Sequence, residues 1–460
     1  MENLQVTGYA AEGKSLARHE GKVIFMENAV PGDIVTVRLI KNKKDWAEAQ
    51  VIRVTGFSPE RIPPFCKHFG ICGGCQWQML PYDKQLEYKQ DQVLQSLKRI
   101  GKMELPEIRP ILGSRKTTGY RNKLEYTFSN RRYLLPEELA DPLISVIQNA
   151  AGFHARGIFD KVVDIDTCHL QDEPTNAIRK EIKRWAVENG ISFYDIQRHE
   201  GFLRNVQIRI CRTGEIMVNL VFGHNDEQAQ NNLLTHLKNQ FPLITTLLYT
   251  INLKWNDSLN NLVPVPFYGK GYIIEKLEDF SFKIGPKSFF QTNTEQAERL
   301  YQTVRTLAAL TGTETIYDLY CGTGSIGIFL SNLAKKIIGI ELIPEAIADA
   351  KENALLNNID HAAFFSGDVT ELCNDAFFEI HGRPDVIITD PPRAGMSEKL
   401  VSKLLEICAE KIIYVSCNPA TQARDLNLLS EKYVVTAVQP VDMFPHTLHI
   451  ENVTALFLKH

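Results

Sequence analysis

At 460 residues, with 44% hydrophobic and 23% charged side chains, the chain has enough apolar material for two to four globular domains and none of the bias of a disordered or fibrous protein. No apolar run reaches the length of a membrane span, and Met1 to Ala10 lacks the basic, apolar and small-residue order of a secretory leader; a cytoplasmic protein with no membrane partner is expected. The formal net charge of −4 argues weakly against a nucleic-acid partner, but residues 61–132 hold fourteen Lys/Arg against six Asp/Glu. That local excess, with Lys84, Lys89, Lys98, Arg99, Arg115, Arg121 and Arg131 in it, suits a phosphate backbone.

Along the first sixty residues, short alternating runs at Val23-Ile24-Phe25, Ile34 to Arg38 and Ala49 to Val54 are separated by Gly13, Gly21 and Pro31-Gly32. Closely spaced strands and turns of this kind predict a small β-barrel. Lys41, Lys43 and Lys44 beside Trp46 suit RNA, and a solvated hairpin tip explains them equally well.

Nine cysteines without a leader are not expected to form disulfides. Cys66, Cys72 and Cys75 lie in a stretch rich in Gly and Pro, which lets three thiolates converge, and Cys168 is the best candidate for a fourth ligand. Four thiolates suit tetrahedral zinc or an iron-sulfur cluster; a single triplet with a distant partner leans toward the cluster. Cys211, Cys373 and Cys408 read as small hydrophobes.

Helical spacing follows over Pro81 to Arg99, then mixed strands and helices from Tyr120 to Tyr272, with helices at Asn176 to Glu188 and Asp226 to Asn239. This is an α+β pattern. After Thr313, strands at Thr315 to Leu319, Lys336 to Ile340, Ala363 to Phe365, Val386 to Thr389 and Ile412 to Val415 alternate with helices, which predicts a doubly wound parallel α/β sheet. The expected domains are 1–58, 59–285 and 286–460.

The first of these strands runs into Tyr320-Cys321-Gly322-Thr323-Gly324-Ser325, where glycines let a ligand approach a helix N-terminus. Glu341 ends the next strand, where an acid binds ribose hydroxyls; Asp368 follows the third and is placed to meet an adenine. Taken alone this serves a dinucleotide as well as S-adenosylmethionine. A dehydrogenase, however, has no use for Asp390-Pro391-Pro392 after the fourth strand or for Cys417 after the fifth. In a methyltransferase Asp390 faces the sulfonium, and a thiol with a later carboxylate, Glu451, can add to a ring and afterwards remove a proton.

From Asp390 to Thr421 the chain resembles the RNA uracil-C5 methyltransferases: Asp-Pro-Pro-Arg-x-Gly, then Ile-Ile-Tyr-x-Ser-Cys-Asn-x-x-Thr, and a closing His-x-Glu at His449 to Glu451. The resemblance extends over the whole chain to the ribosomal RNA branch of that family. It implies an N-terminal TRAM barrel, a central domain with a [4Fe-4S] cluster on Cys66, Cys72, Cys75 and Cys168, and a C-terminal Rossmann-like methyltransferase domain. It further implies Cys417 as nucleophile, Glu451 as base, and S-adenosylmethionine held by Gln291, Tyr320, Gly322, Glu341, Asp368 and Asp390. Tyr320-Cys321 departs from the usual wording of the glycine loop. The implied substrate is 23S rRNA in preference to tRNA, with no obligate protein partner. The target uracil must leave its stack, and Phe289 is a candidate to hold it.

Two readings compete. Asp390-Pro391-Pro392 also opens the motif of N-methyltransferases, but these favour an aromatic fourth residue where Arg393 stands and need no thiol. The other is an inactive, cluster-bearing RNA-binding or assembly factor, against which the intact Gly322, Glu341, Asp390, Cys417 and Glu451 speak.

Overall fold

Alternating apolar residues close the first sixty positions into a five-stranded barrel. The computed structural model describes residues 1–10, 13–145 and 147–459. Its barrel strands are Leu4–Tyr9, Ser15–His19, Lys22–Met26, Ile34–Asn42 and Trp46–Gly56, laddered in the order first, second, third, fifth, fourth. Leu4, Val6, Ala17, Ile24, Met26, Val35, Val37, Ala47 and Ala49 fill the interior. The first two strands are hard to recognise in the sequence because Leu4–Tyr9 is interrupted at Gly8, where the register shifts. Asp33 ties the barrel to residues 58–61: its carboxylate accepts from the amides of Val30 and Ser58, each at 2.8 Å, and from Arg61 at 2.8 Å.

The chain divides into two compact units. One comprises Met1–Phe65, Gln76–Thr117 and Gln296–His460; the other comprises Cys66–Cys75 and Thr118–Glu295. In the first unit a seven-stranded sheet runs Ala362–Ser366, Lys336–Glu341, Thr315–Leu319, Val386–Thr389, Lys411–Ser416, Glu451–Leu458, Tyr433–Val441. The first five strands are parallel, as their near-continuous apolar runs require for burial on both faces. The last two are antiparallel, an extension that strand-helix alternation does not announce. The helix expected after Pro81 spans Tyr82–Ser96, continues as a π turn over Leu97–Gly101, and lays Val93 and Leu97 into the core of this sheet. Residues 76–117 therefore fold with the sheet and barrel, across the boundary drawn at position 59.

The second unit has its own seven-stranded mixed sheet, ordered Val265–Tyr268, Thr246–Ile251, Ile216–Phe222, Leu203–Ile210, Lys123–Ser129, Ala150–His154, Val162–Asp164. Helices Thr175–Glu188 and Glu227–Gln240 accompany it, giving the α+β arrangement. Among the described residues no helix is long and apolar enough to cross a membrane.

Candidate active site

The carboxyl ends of the parallel strands carry the chemistry. Strand Thr315–Leu319 ends at Tyr320, held at φ 60°, and the chain turns through Gly322 and Gly324, at φ 54° and 75°, into the helix Ser325–Leu330. These are left-handed conformations that glycine adopts without strain. At Gly324 a side chain has no room, since a Cβ would stand 2.9 Å from the Phe364 ring. Beside Gly322 there is open space, with nothing within 4 Å of where a Cβ would lie. A ligand can approach that backbone.

Glu341, ending the next strand, accepts from the Gly322 amide at 3.3 Å and from the Ile343 amide at 3.0 Å. Asp368 caps the short helix Val369–Leu372, taking the Thr370 amide at 2.7 Å and its hydroxyl at 2.6 Å; those bonds hold its carboxyl below the usual carboxylate range. Tyr320 is near enough to Asp368 and Glu341 for both to raise its phenol, after burial. The glycine loop, Glu341 and Asp368 thus line one rim.

Asp390 follows strand Val386–Thr389, and its amide reaches the Leu319 carbonyl at 3.4 Å, next to the start of the glycine loop. On the neighbouring strand Ser416 pairs with Asn452, so Cys417 and Glu451 leave adjacent strand ends. Asp390 is half-buried and Glu451 buried, and they interact. Burial raises Asp390 to about 7, and burial together with the Asp390 charge raises Glu451 well above the ordinary carboxylate range. Burial first, then Glu451 and Asp390, push the Cys417 thiol up to about 11, while Arg393 opposes both effects. Burial thus favours the protonated forms of Cys417, Asp390 and Glu451.

Hydrogen bonds fix the cysteine turn. Asn418 caps the helix Pro419–Leu429 by accepting from the Ala420 amide at 3.1 Å, and its side-chain amide donates to the Arg393 carbonyl at 3.1 Å. Thr421 donates to that same carbonyl at 3.2 Å. Asp425, fully buried, accepts from the Tyr414 hydroxyl at 2.7 Å and the Met396 amide at 2.8 Å. The Asn and Thr of Ser-Cys-Asn-x-x-Thr are therefore braces between the cysteine turn and the Asp-Pro-Pro-Arg loop.

Some side chains here were not assigned from sequence. Tyr301, in the helix Thr294–Ala308, meets the Ser325 hydroxyl at 2.8 Å and feels Asp390, Asp318 and Glu451. Ser325 is thereby turned to Tyr301. Asp318 accepts from the Gly327 amide at 2.9 Å with one oxygen, while its other oxygen is buried without a partner; burial raises it to about 7. His449 lies 2.6 Å from the Arg393 guanidinium. Tyr301 sits on an amphipathic helix, where an aromatic reads as core, and Asp318 lies inside a strand with no motif of its own to mark it.

The remaining expected residues lie in the second unit. Gln291 is buried there, its carbonyl accepting from Asn122 at 2.9 Å. Phe290 is core, and Phe289 is 70% exposed. Cys66, Cys72, Cys75 and Cys168 are free thiols; burial and the other thiols raise Cys72, to about 11, and burial with Cys66 raises Cys168. Three of the four thus share one neighbourhood. Among the described residues, though, no three His, Cys, Asp or Glu side chains are arranged to hold a metal ion. Cys408, expected among apolar side chains, is only half-buried and meets Lys432 at 3.5 Å.

Residues 205–460 match the family model described as tRNA (Uracil-5-)-methyltransferase, and residues 2–52 match that of the TRAM domain. The chain belongs to the tRNA (uracil-5-)-methyltransferase family. Membership makes it an RNA methyltransferase that uses S-adenosylmethionine. Among this uracil-5-methyltransferase's relatives, a protein of Bacteroides thetaiotaomicron named as an RNA methyltransferase is 51% identical, with 98% of this chain and 100% of that one covered. A Chlorobaculum tepidum RNA methyltransferase is 40% identical over 98% of this chain and 95% of its own. The Pyrococcus abyssi tRNA (uracil-54, C5)-methyltransferase, solved with S-adenosyl-L-homocysteine, superposes with a TM-score of 0.76 at 29% identity, covering 99% of this chain and 100% of that one.

Proposed function

We propose that the enzyme methylates carbon 5 of a uridine in a structured RNA through a covalent adduct between Cys417 and carbon 6. The observation that carries this is the adjacency of Cys417 and Glu451 on paired strand ends, beside Asp390 at the glycine loop. Carbon 5 of uracil is a weak nucleophile, but carbon 6 is an acceptor conjugated to the carbonyl at carbon 4. The Cys417 thiol gives up its proton to solvent, the thiolate adds to carbon 6, and the ring becomes an enolate with nucleophilic character at carbon 5. S-adenosylmethionine, when bound by Tyr320, Gly322, Glu341, Asp368 and Asp390, supplies the electrophilic methyl. Glu451 then takes the proton from carbon 5, the electron pair re-forms the ring double bond, and the thiolate leaves. Glu451 acts here in its ionised form, and the burial that raises its pKa makes that carboxylate the stronger base.

For the RNA, 23S rRNA is the first substrate to test, on the strength of the family branch that combines barrel and cysteine set. A tRNA is a real second reading, since the Pyrococcus protein covered along its full length is a tRNA (uracil-54, C5)-methyltransferase. Supplying labelled S-adenosylmethionine with both RNAs from cells lacking this gene decides between them. Label in 23S rRNA alone supports the first, and label in tRNA alone replaces it.

We also propose a [4Fe-4S] cluster on Cys66, Cys72, Cys75 and Cys168. Cys66, Cys72 and Cys168 act on one another electrostatically, and a cubane takes one thiolate on each of its four irons. Purified without air, the protein should be brown and carry about four irons per chain. A colourless preparation containing zinc would overturn the cluster.

A further inference from the structure

The barrel carries an aromatic corner that the methyl-transfer chemistry does not use. A cavity of about 550 Å³ is lined by Lys14, Val23, Phe25, Asp45, Trp46 and Glu48, between the turn after the first strand and the tip of the hairpin joining the fourth and fifth. That volume lies within the range of small-ligand sites. Phe25 and Trp46 meet edge to face, ring centroids 6.4 Å apart at 63°, which leaves a corner that a flat ring can enter. Neither ring belongs to the barrel's core cluster. Their position is not owed to packing of the interior.

Charge complements the aromatic wall. The Lys41 ammonium stands 5.0 Å from the Trp46 ring centroid, and Lys43 and Lys44 are exposed at the hairpin tip. The Lys43 amide donates to the Trp46 carbonyl at 2.9 Å, so tip and indole move as one piece. Lys14, at 3.0 Å, neutralises Glu48 on the cavity wall. In five-stranded barrels of this kind, single-stranded nucleic acid binds along the loops joining strands one to two and four to five. The cavity lies between these two loops.

We propose that this corner is an auxiliary RNA subsite in which one unpaired base stacks on Trp46 against Phe25, while Lys41, Lys43 and Lys44 take the flanking phosphates. The occupant is a base other than the one being methylated, because that one must meet S-adenosylmethionine in the methyltransferase domain. Stacking accepts any of the four bases, since each has a π face. The subsite therefore adds affinity for an unpaired segment without reading its sequence. The proposal rests on the RNA substrate of the enzyme and is independent of the covalent mechanism.

The test uses the full chain and a labelled twelve-nucleotide single-stranded RNA of mixed sequence, with binding followed by fluorescence anisotropy over a salt series. Trp46→Ala should weaken binding roughly 5- to 150-fold while the slope of log K against log salt stays unchanged. Trp46→Phe, which keeps a stacking ring and guards against a folding artefact, should stay within about threefold of the wild type. Lys43→Ala with Lys44→Ala should lower affinity and flatten the salt slope by about 1.4. Unchanged affinity in Trp46→Ala, or equal loss in Trp46→Phe, overturns the subsite. The same variants are also given an RNA containing 5-fluorouridine: failure of the wild type to form an adduct removes the Cys417 mechanism and leaves the binding comparison standing.

Discussion

The first unit buries carboxylates in two places along the same stretch of chain, and it treats them in opposite ways. Asp442 has a cation: Lys89, itself fully enclosed, reaches it at 2.6 Å, the Tyr82 hydroxyl donates at 2.7 Å and the Phe444 amide at 3.1 Å. Nine residues later Glu451 is buried beside Asp390 with no cation among the described residues bonded to either, and Asp318, with one orphaned oxygen, is close by. A charge taken out of water is tolerated when it is paired and hydrogen-bonded and is expensive otherwise. The first arrangement therefore fixes structure, and in the second only the more distant Arg393 offsets the burial of Glu451; on the reading proposed above, a sulfonium would supply the missing charge.

The two are connected. Lys89 also donates to the Phe444 carbonyl at 3.2 Å, Gln85 accepts from the His446 amide at 2.8 Å, and the His446 carbonyl takes the amides of Gln76 and Trp77. The helix Tyr82–Ser96 thus holds the loop 442–449 that leads into His449 and Glu451. The Lys89–Asp442 pair thus lies on the loop that leads into Glu451.

Breaking each side should give distinct results. Glu451→Gln removes the base and should cut turnover about 10²- to 10⁴-fold; on ordinary uridine RNA the methylated adduct should accumulate, seen as a slow band on denaturing gels. Full turnover would take the base role from Glu451. Lys89→Met leaves Asp442 buried without its cation and should cost about 3–5 kcal/mol of stability, measured by urea unfolding. If stability is unchanged, the pair is not the anchor described.

Asp390→Asn should act the other way, raising Tm while weakening S-adenosylmethionine more than the uncharged S-adenosylhomocysteine. The sign comes from linkage: the folded carboxyl binds its proton more tightly than the unfolded one, so ionisation costs the fold increasingly from about pH 4 to about 7, and fully above that. The gain in Tm should be largest at pH 8 and vanish near pH 4. A gain independent of pH would point to packing instead. The smallest effect concerns the thiol. With Cys417 raised to about 11, its alkylation by iodoacetamide should climb about tenfold per pH unit from 7 to 10; a plateau near pH 8 would contradict that environment.

Much of this contrast is legible in the sequence, and the reason is local. Cys417, Asp390, Glu341 and the glycines follow apolar strands directly, so the end of each strand announces its functional residue. Glu451 is legible through the closing His-x-Glu, although its strand is not, because an antiparallel edge appended to a parallel sheet leaves no alternation with helices. Lys89 reads as one more surface base. Nothing in a helical run of charged residues says that one lysine will be swallowed by an aspartate more than 350 positions away. Likewise Asn418 and Thr421 are recognisable as motif letters, and their work as braces on the Arg393 carbonyl is visible only in three dimensions.

The central claim is that Cys417 attacks the uracil ring. Incubating the enzyme with S-adenosylmethionine and RNA carrying 5-fluorouridine, where fluorine replaces the proton Glu451 would remove, and resolving the products by denaturing gel and mass spectrometry, tests it most directly. A covalent protein-RNA species holding one added methyl at Cys417, absent in Cys417→Ala, is the predicted result. Tight RNA binding with no such species, or the same species in Cys417→Ala, would contradict it.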